Sequence, residues 1–333
     1  MQIGQLKRRE FLRVLGGAAT GWPVAARAQQ PNKNARVGFL GVRPDIPMFV
    51  GSYSAFIDEL RQLGWVEGQN LTVEFQYFTD PGVDLAAQVG KLIRSNVDAL
   101  VADGPEFVLQ TAVEASHTIP IAMIAINFDP ISRGYVSSLA RPGGNVTGIF
   151  FRQLELAQKQ LELMTQAFPQ NTTAAALYDA ISADQFAAAA TAAERLHLQF
   201  DGLKLENPPY DFEKAFHALA QRSAQMLLVL SSAYFTTNAS RIASLAIQQR
   251  LPTMFIFKTY AEAGGLMSYG VDYVAMHRRI AALVGKILQG TKPADIPVEQ
   301  PTKFEFVVNL KTAKAMGIKL PTSILLRADD VIE

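Results

Sequence analysis

The feature that most constrains this chain is an alternation, run through twice, of short apolar runs with segments of helical periodicity. In the first series, strands at 36–40, 71–78, 98–102 and 119–126 are separated by helices at 54–63, 85–94 and 107–116. Strands spaced by single helices are parallel, joined by right-handed crossovers, with both sheet faces covered. A turn-rich break follows, Asp129-Pro130-Ile131 and Arg141-Pro142-Gly143-Gly144-Asn145,. The second series has strands at 146–151, 173–178, 198–205, 226–231 and 253–257, with helices at 154–168, 183–196, 212–221 and 236–249. Two α/β series of similar length predict two doubly wound lobes.

The tail adds a short strand between glycine turns at 264–270, a helix at 273–288, a polar segment at 290–300, a strand at 304–309 and a last helical turn at 312–316. So few residues make a thin third domain. They fit better as segments that return to complete each lobe.

Composition narrows the class. With 333 residues and 49% hydrophobic side chains, the chain has ample material for a buried core,. The absence of cysteine excludes disulfides, thiolate metal sites, a cysteine nucleophile and a lipidated cysteine,. Lys and Arg number 31 against 30 acids, a balance that argues against a nucleic-acid partner,.

The first residues read as an export address. Lys7, Arg8, Arg9 and Arg13 precede the mildly apolar 14–19, and Ala26-Arg27-Ala28 has the small-x-small form of a cleavage site,. The Arg8-Arg9 pair with Phe11-Leu12 resembles the twin-arginine type, the general export route being the alternative. Cleavage near Ala28 removes five basic residues and Glu10, leaving 26 bases and 29 acids of the 31 and 30. The expectation is a free, slightly acidic periplasmic protein with no stable membrane anchor, since no run reaches the ~20 apolar residues of a membrane span.

Catalytic signatures are missing. His117, His197, His217 and His277 lie far apart and read as solvated or capping residues. No nucleophile elbow, phosphate loop or dinucleotide fingerprint occurs. In open parallel sheets ligands sit outside the carboxyl ends of the strands, near helix N-termini. Those ends are Gly41-Val42-Arg43, Asp103-Gly104-Pro105-Glu106, Asn127-Phe128-Asp129, Tyr178-Asp179, Ser231-Ser232-Ala233-Tyr234 and Lys258-Thr259-Tyr260. Their mixture of small, hydroxyl and aromatic residues suits a small, partly apolar ligand.

Several long motifs carry a family resemblance. Ile119-Pro120-Ile121, Asp129-Pro130 and the run from Ser138 through Arg141-Pro142-Gly143-Gly144-Asn145-Val146-Thr147-Gly148 are similar to those of ABC-transporter substrate-binding proteins of the tryptophan/tyrosine-uptake type. So are Gly264-Gly265-Leu266-Met267-Ser268-Tyr269-Gly270, Gly290-Thr291-Lys292-Pro293 and Asn309-Leu310-Lys311-Thr312-Ala313. The resemblance spans the chain beyond the leader. It implies a type I periplasmic-binding fold: two Rossmann-like lobes joined by a three-crossing hinge. The lobes are expected at 36–145 plus 253–300 and at 146–252 plus 301–333, after the signal at 1–28.

The resemblance further implies a monomeric solute-binding component of an importer, holding an aromatic amino acid or a related aromatic or branched acid and closing to deliver it to the permease. No cofactor, metal or catalytic residue is expected. The ligand-binding set is Val42, Tyr53, Asp103, Gly104, Pro105, Asn127, Phe128, Asp129, Tyr178, Ser231, Ser232, Tyr234 and Lys258. Tyr53, Phe128, Tyr178 and Tyr234 would sandwich the ring, and Ser231, Ser232 and Asn127 would fix the polar end. Asp103 and Glu106 depart from the family's hydroxyl-rich loop and would repel an anion unless they point away. Two other readings compete: a ligand-sensing exported domain, and an exported α/β enzyme using Asp103, Glu106 or Asp129. Trp65 falls in a turn remote from the cleft.

Overall fold

The computed structural model describes residues 34–43, 47–78 and 84–333. The export signal expected at 1–28 lies outside them. Helices are named below by their ranges.

The first sheet has five parallel strands in the order β2-β1-β3-β4-β5. These are β1 (Ala35–Gly41), β2 (Leu71–Tyr77), β3 (Ala99–Gly104), β4 (Ile121–Ile126) and β5 (Val146–Phe151). The strands β4 and β5, and β3 up to Asp103, are continuous apolar or small-residue runs because both of their faces are covered,. The helices Pro47–Gln62 and Tyr273–Leu288 pack on one face, where Phe39 meets Phe56 edge-on at 5.3 Å and Trp65 is buried. The helices Leu85–Arg94 and Glu106–Ala115 cover the other. Gly148 in β5 permits close approach of the strands: a Cβ there would lie 2.1 Å from the Met123 carbonyl oxygen.

The second sheet has seven strands, ordered β12-β11-β10-β9-β8-β6-β7. They are β6 (Thr173–Tyr178), β7 (Gln199–Lys204), β8 (Leu227–Val229), β9 (Thr253–Phe255), β10 (Met267–Val271), β11 (Phe304–Asn309) and β12 (Asp330–Ile332). All pairings are parallel except β10 with β11, where Met267 faces Val308. Side-chain caps start several helices where the sequence offers Asp or Asn: Asp211 accepts from the Lys214 amide, Asp272 from Ala275 and Asn309 from Thr312, each at 2.9 Å,.

Lobe membership differs from the sequence expectation in two places. Residues 253–271 were expected in the first lobe, yet β9 and β10 extend the second sheet, through Leu227 with Thr253 and Met254 with Met267. Conversely, β5 was expected in the second lobe and closes the first sheet by pairing Ile126 with Phe151. A buried parallel strand carries the same apolar pattern in either lobe, so only its pairing partner assigns it. The segment 293–299 stays with the first lobe, where Thr147 donates to the Ile296 carbonyl at 2.7 Å and Glu299 N to Gly148 O at 2.9 Å. The chain therefore crosses between sheets at Arg152-Gln153, at Asp272 and between Glu299 and Phe304.

Two helices differ in extent. The helix expected at 54–63 begins at Pro47, packing having overridden the low helix propensity of Gly51,. The helix expected at 236–249 is two, Ala233–Thr237 and Ala239–Gln249, broken where the Asn238 side chain donates Nδ2 back to the Tyr234 carbonyl at 2.8 Å,. Among the described residues no helix is long and apolar enough to cross a membrane.

Candidate ligand-binding cleft

The carboxyl ends of both sheets converge on a cavity of about 520 Å³. Its first-lobe wall holds Val42 after β1, Asp103 and Gly104 at the end of β3 with Pro105 to Phe107 after it, and Asn127 and Phe128 after β4. Its second-lobe wall holds Ala180 to Gln185, in part, after β6, Ser231 to Ala233 and Thr236 after β8, and Phe257 after β9. Gln153 and Tyr273 line it from two of the crossings. Phe49, Phe78, Phe107, Phe128 and Phe257 give it an aromatic lining. The helices Glu106–Ala115 and Ala183–Arg195 begin at its edge, neither with a side-chain cap from its N-cap residue, so the positive end of a helix dipole lies at the cavity from each lobe,.

The acids of this region are mostly satisfied by the protein itself. Asp103, 5% exposed, receives the Tyr273 hydroxyl at 2.9 and 2.8 Å on its two oxygens. The His277 Nε2 stands 3.2 Å from Oδ2, and its Nδ1 lies 3.0 Å from the Tyr273 carbonyl. Burial, then the Asp103 charge, pushes the Tyr273 hydroxyl well above its ordinary pKa, so it stays a donor,. Expected to be solvated or capping, His277 is instead 3% exposed, turned inward because its helix lays that face on the first sheet. Glu106 pairs with Arg133 Nε at 3.2 Å and accepts from the Tyr135 hydroxyl at 3.4 Å.

In the second lobe, fully buried Asp179 ties three loops together. Its Oδ1 accepts from the amides of Ile181 and Ser182 at 3.0 and 3.2 Å, and its Oδ2 from the Tyr210 hydroxyl at 3.1 Å and from Ser232 Oγ. Gln185 clasps the Ser231 backbone, donating Nε2 to the carbonyl at 3.0 Å and accepting from the amide at 2.9 Å. The lobes meet directly where Asn127 Nδ2 donates to Asp184 Oδ1 and Oδ2 at 2.8 and 2.9 Å. Among the described residues no group of three or more His, Asp or Glu has the arrangement of a metal site.

Residues 47–332 match the family model described as ABC transporter substrate binding protein. This chain belongs to that family. The binding protein is 23% identical over 276 residues to the tyrosine-binding protein of Clostridioides difficile (strain R20291), covering 79% of this chain and 76% of that relative. Its fold superposes with a TM-score of 0.79 on an ABC domain from Streptococcus pneumonia solved in complex with L-Trp, at 25% identity, over 90% of this chain and 100% of that one. A conserved domain protein from Vibrio cholerae gives a TM-score of 0.80 at 23% identity, again over 90% and 100%. The binding protein thus has the two-lobed type I periplasmic-binding fold.

The binding protein brings eight of the residues named from sequence to the cavity: Val42, Asp103, Gly104, Pro105, Asn127, Phe128, Ser231 and Ser232. Five lie elsewhere. Tyr53 packs on Phe75 and donates its hydroxyl to Glu67 at 3.3 Å. Asp129 turns back to cap its own loop, accepting from the Ile131 amide at 2.9 Å. Tyr178 stacks on Phe186 at 4.4 Å, and Tyr234 packs edge-on to Tyr210 at 5.7 Å. Lys258 opens a helix and pairs with Asp330 at 2.6 Å. Of the four expected sandwich aromatics only Phe128 lines the cavity, and phenylalanines from other loops supply the rest. Gln153, Asp184, Gln185 and Tyr273 went unnamed because each sits at a helix start, where nothing in the periodicity distinguishes a cleft residue from a cap.

Proposed function

We propose that this protein is the periplasmic receptor of an ABC importer, binding an aromatic amino acid or a related aromatic or branched organic acid between its lobes. The observation that carries the reading is the aromatic-lined cavity of about 520 Å³, walled by both lobes and entered by helix N-termini. That size falls within the ~300–1,000 Å³ of small-molecule sites. The tyrosine-binding relative and the L-Trp-bound structure support the ligand class.

A ligand touching both walls favours the closed arrangement, because only contacts that differ between open and closed states shift that equilibrium. The closed form is then what the permease recognises. We read the protein as a monomer, free of the membrane once the leader is removed, and as a carrier that releases its ligand unchanged. The commitment of Asp103 to Tyr273, of Glu106 to Arg133 and of Asp129 to its own loop supports binding over turnover.

The test is a thermal-shift screen of protein stripped of ligand by unfolding and refolding, followed by titration calorimetry on the hits. L-tryptophan, L-tyrosine, L-phenylalanine and aromatic and branched carboxylic acids form the panel. A ligand at 100 times its Kd adds about 2.7 kcal/mol. Mass spectrometry should return it intact. Absence of saturable binding across the panel contradicts the reading.

A further inference from the structure

The second sheet ends in β7, so one side of that strand faces no other strand. An open edge of this kind is a template for pairing with another chain, and native proteins blunt it. The register shows which backbone groups are at stake. Gln199 N donates to the Thr172 carbonyl at 2.9 Å and Leu205 N to the Tyr178 carbonyl at 2.8 Å, so residues 199, 201, 203 and 205 turn their N–H and C=O toward β6. Alternation along the strand then turns those of Phe200, Gly202 and Lys204 to the open side,.

At Gly202, the middle residue of the three, both backbone groups are already taken. Its N–H donates to Asp201 Oδ1 at 2.7 Å, and its carbonyl accepts from Arg222 Nη1 at 3.0 Å. The same Arg222 nitrogen holds Asp201 Oδ2 at 2.8 Å, which closes the three residues into one clasp. Arg222 stands at the C-terminal end of the helix Phe212–Gln221, so the clasp is tied to the body of the lobe.

Stability alone is a poor reason for this arrangement. The Arg222 and Asp201 side chains are 41% and 61% exposed, and an ion pair so open to water contributes little,. Position 202 also has no side chain to crowd an approaching strand, because a Cβ there would come within 2.6 Å of the Phe186 ring. Its neighbours supply the shield instead.

The open side matches itself. In an antiparallel copy centred on this position, Gly202 of each chain faces Gly202 of the other, and Phe200 of each faces Lys204 of the other. All three outward residues then fall on hydrogen-bonded pairs, as a two-fold contact requires.

We infer that the β7 edge is a dormant pairing surface for a second copy of this chain, held shut by the Asp201–Arg222 clasp. The clasp denies an incoming strand the central pair of bonds. It gives a physical basis to the monomer proposed above and is independent of what the cleft holds.

The experiment is sedimentation velocity over a concentration series. It compares the wild type, Arg222→Ala, the double variant Asp201→Ala with Arg222→Ala, and that double variant carrying Lys204→Pro as well. The wild type should remain a monomer. The double variant should self-associate with a constant at least ~10-fold larger, and Arg222→Ala alone should fall between them. Lys204→Pro removes an outward N–H, spares the bonds to β6 and should return the double variant to a monomer. Amide exchange within residues 199–204 should slow with rising concentration in the double variant.

A folded double variant that stays as monomeric as the wild type would overturn the inference. So would association that survives Lys204→Pro, or concentration-dependent protection of 199–204 in the wild type. Should the double variant fail to fold, Arg222→Ala carries the same test: no gain in association over the wild type would contradict the clasp.

Discussion

Tyr273→Phe isolates the pairing beneath the cleft. Asp103 is 5% exposed, and the Tyr273 hydroxyl is the proton donor shared by both of its oxygens. The substitution keeps the ring, and with it the packing on Phe257 at 4.8 Å and Phe49 at 5.9 Å, so cavity formation contributes little. A hydrogen bond to a charged group contributes about 1.5–3 kcal/mol, and a buried carboxylate losing its donor adds desolvation cost. His277 Nε2 remains near Oδ2 and offsets part of this. The expected loss is about 3 kcal/mol. At roughly 1.5–2 °C per kcal/mol for a protein of this size, the melting temperature should fall by about 5 °C. Urea denaturation followed by circular dichroism measures the free energy directly. A loss below about 1 kcal/mol would refute the reasoning, since it would mean that Asp103 does not depend on Tyr273.

Three further outcomes follow from the geometry. Burial of Glu305, then the nearby Asp272 charge, pushes its carboxyl from 4.5 up to about 7. A raised carboxylate pKa means that folding disfavours the charged form, so the penalty is absent at low pH, grows as pH rises from about 4.5, and is complete above about 7,. The shift corresponds to roughly 3.4 kcal/mol, which solvent screening of a half-buried group reduces to about 1. Glu305→Gln should therefore stabilise the protein at pH 8 and leave it unchanged at pH 4 in denaturation experiments; the reverse order would sink the argument. Gly148→Ala would drive a Cβ to 2.1 Å from Met123 O and 2.6 Å from Met123 N at a φ of +140°, with no flexible side chain to yield. It should cost more than ~4 kcal/mol, so soluble protein melting within 2 °C of wild type would contradict the packing. Trp65, 1% exposed in the first-lobe core and absent from the cavity lining, should change its fluorescence little on ligand binding, and a large shift in its emission maximum would count against the site.

Much of the arrangement was legible because the doubly wound architecture fixes where strands end. Val42, Asp103, Gly104, Pro105, Asn127, Phe128, Ser231 and Ser232 end or follow β1, β3, β4 and β8, and the two sheets deliver all of them to the cavity. Tyr178 shows why such reasoning stops short. It is the last residue of β6, where one position of strand parity decides which face the ring takes, and the presence of Phe186 on the following helix settles it,. Lys258 was misread because its partner Asp330 belongs to β12, a three-residue edge strand too short to register as a pattern. Lobe assignment failed at β9 and β10 for a related reason, since pairing is a property of two segments and periodicity reports on one. Gln153 and Asp184 carry no local signal. Their place at the cavity comes from a crossing and from a bond between lobes, both of which exist only once the chain has folded.

The central claim, that the cavity between the lobes is the ligand site, is tested most directly by blocking it. Ala180 lines the cavity and is exposed, so a tryptophan there fills the space without disturbing the core. Titration calorimetry of L-tryptophan and L-tyrosine into the wild type should give saturable one-to-one binding, and Ala180→Trp, folded to the same melting temperature, should lose it. Binding by Ala180→Trp at wild-type affinity and stoichiometry would contradict the account.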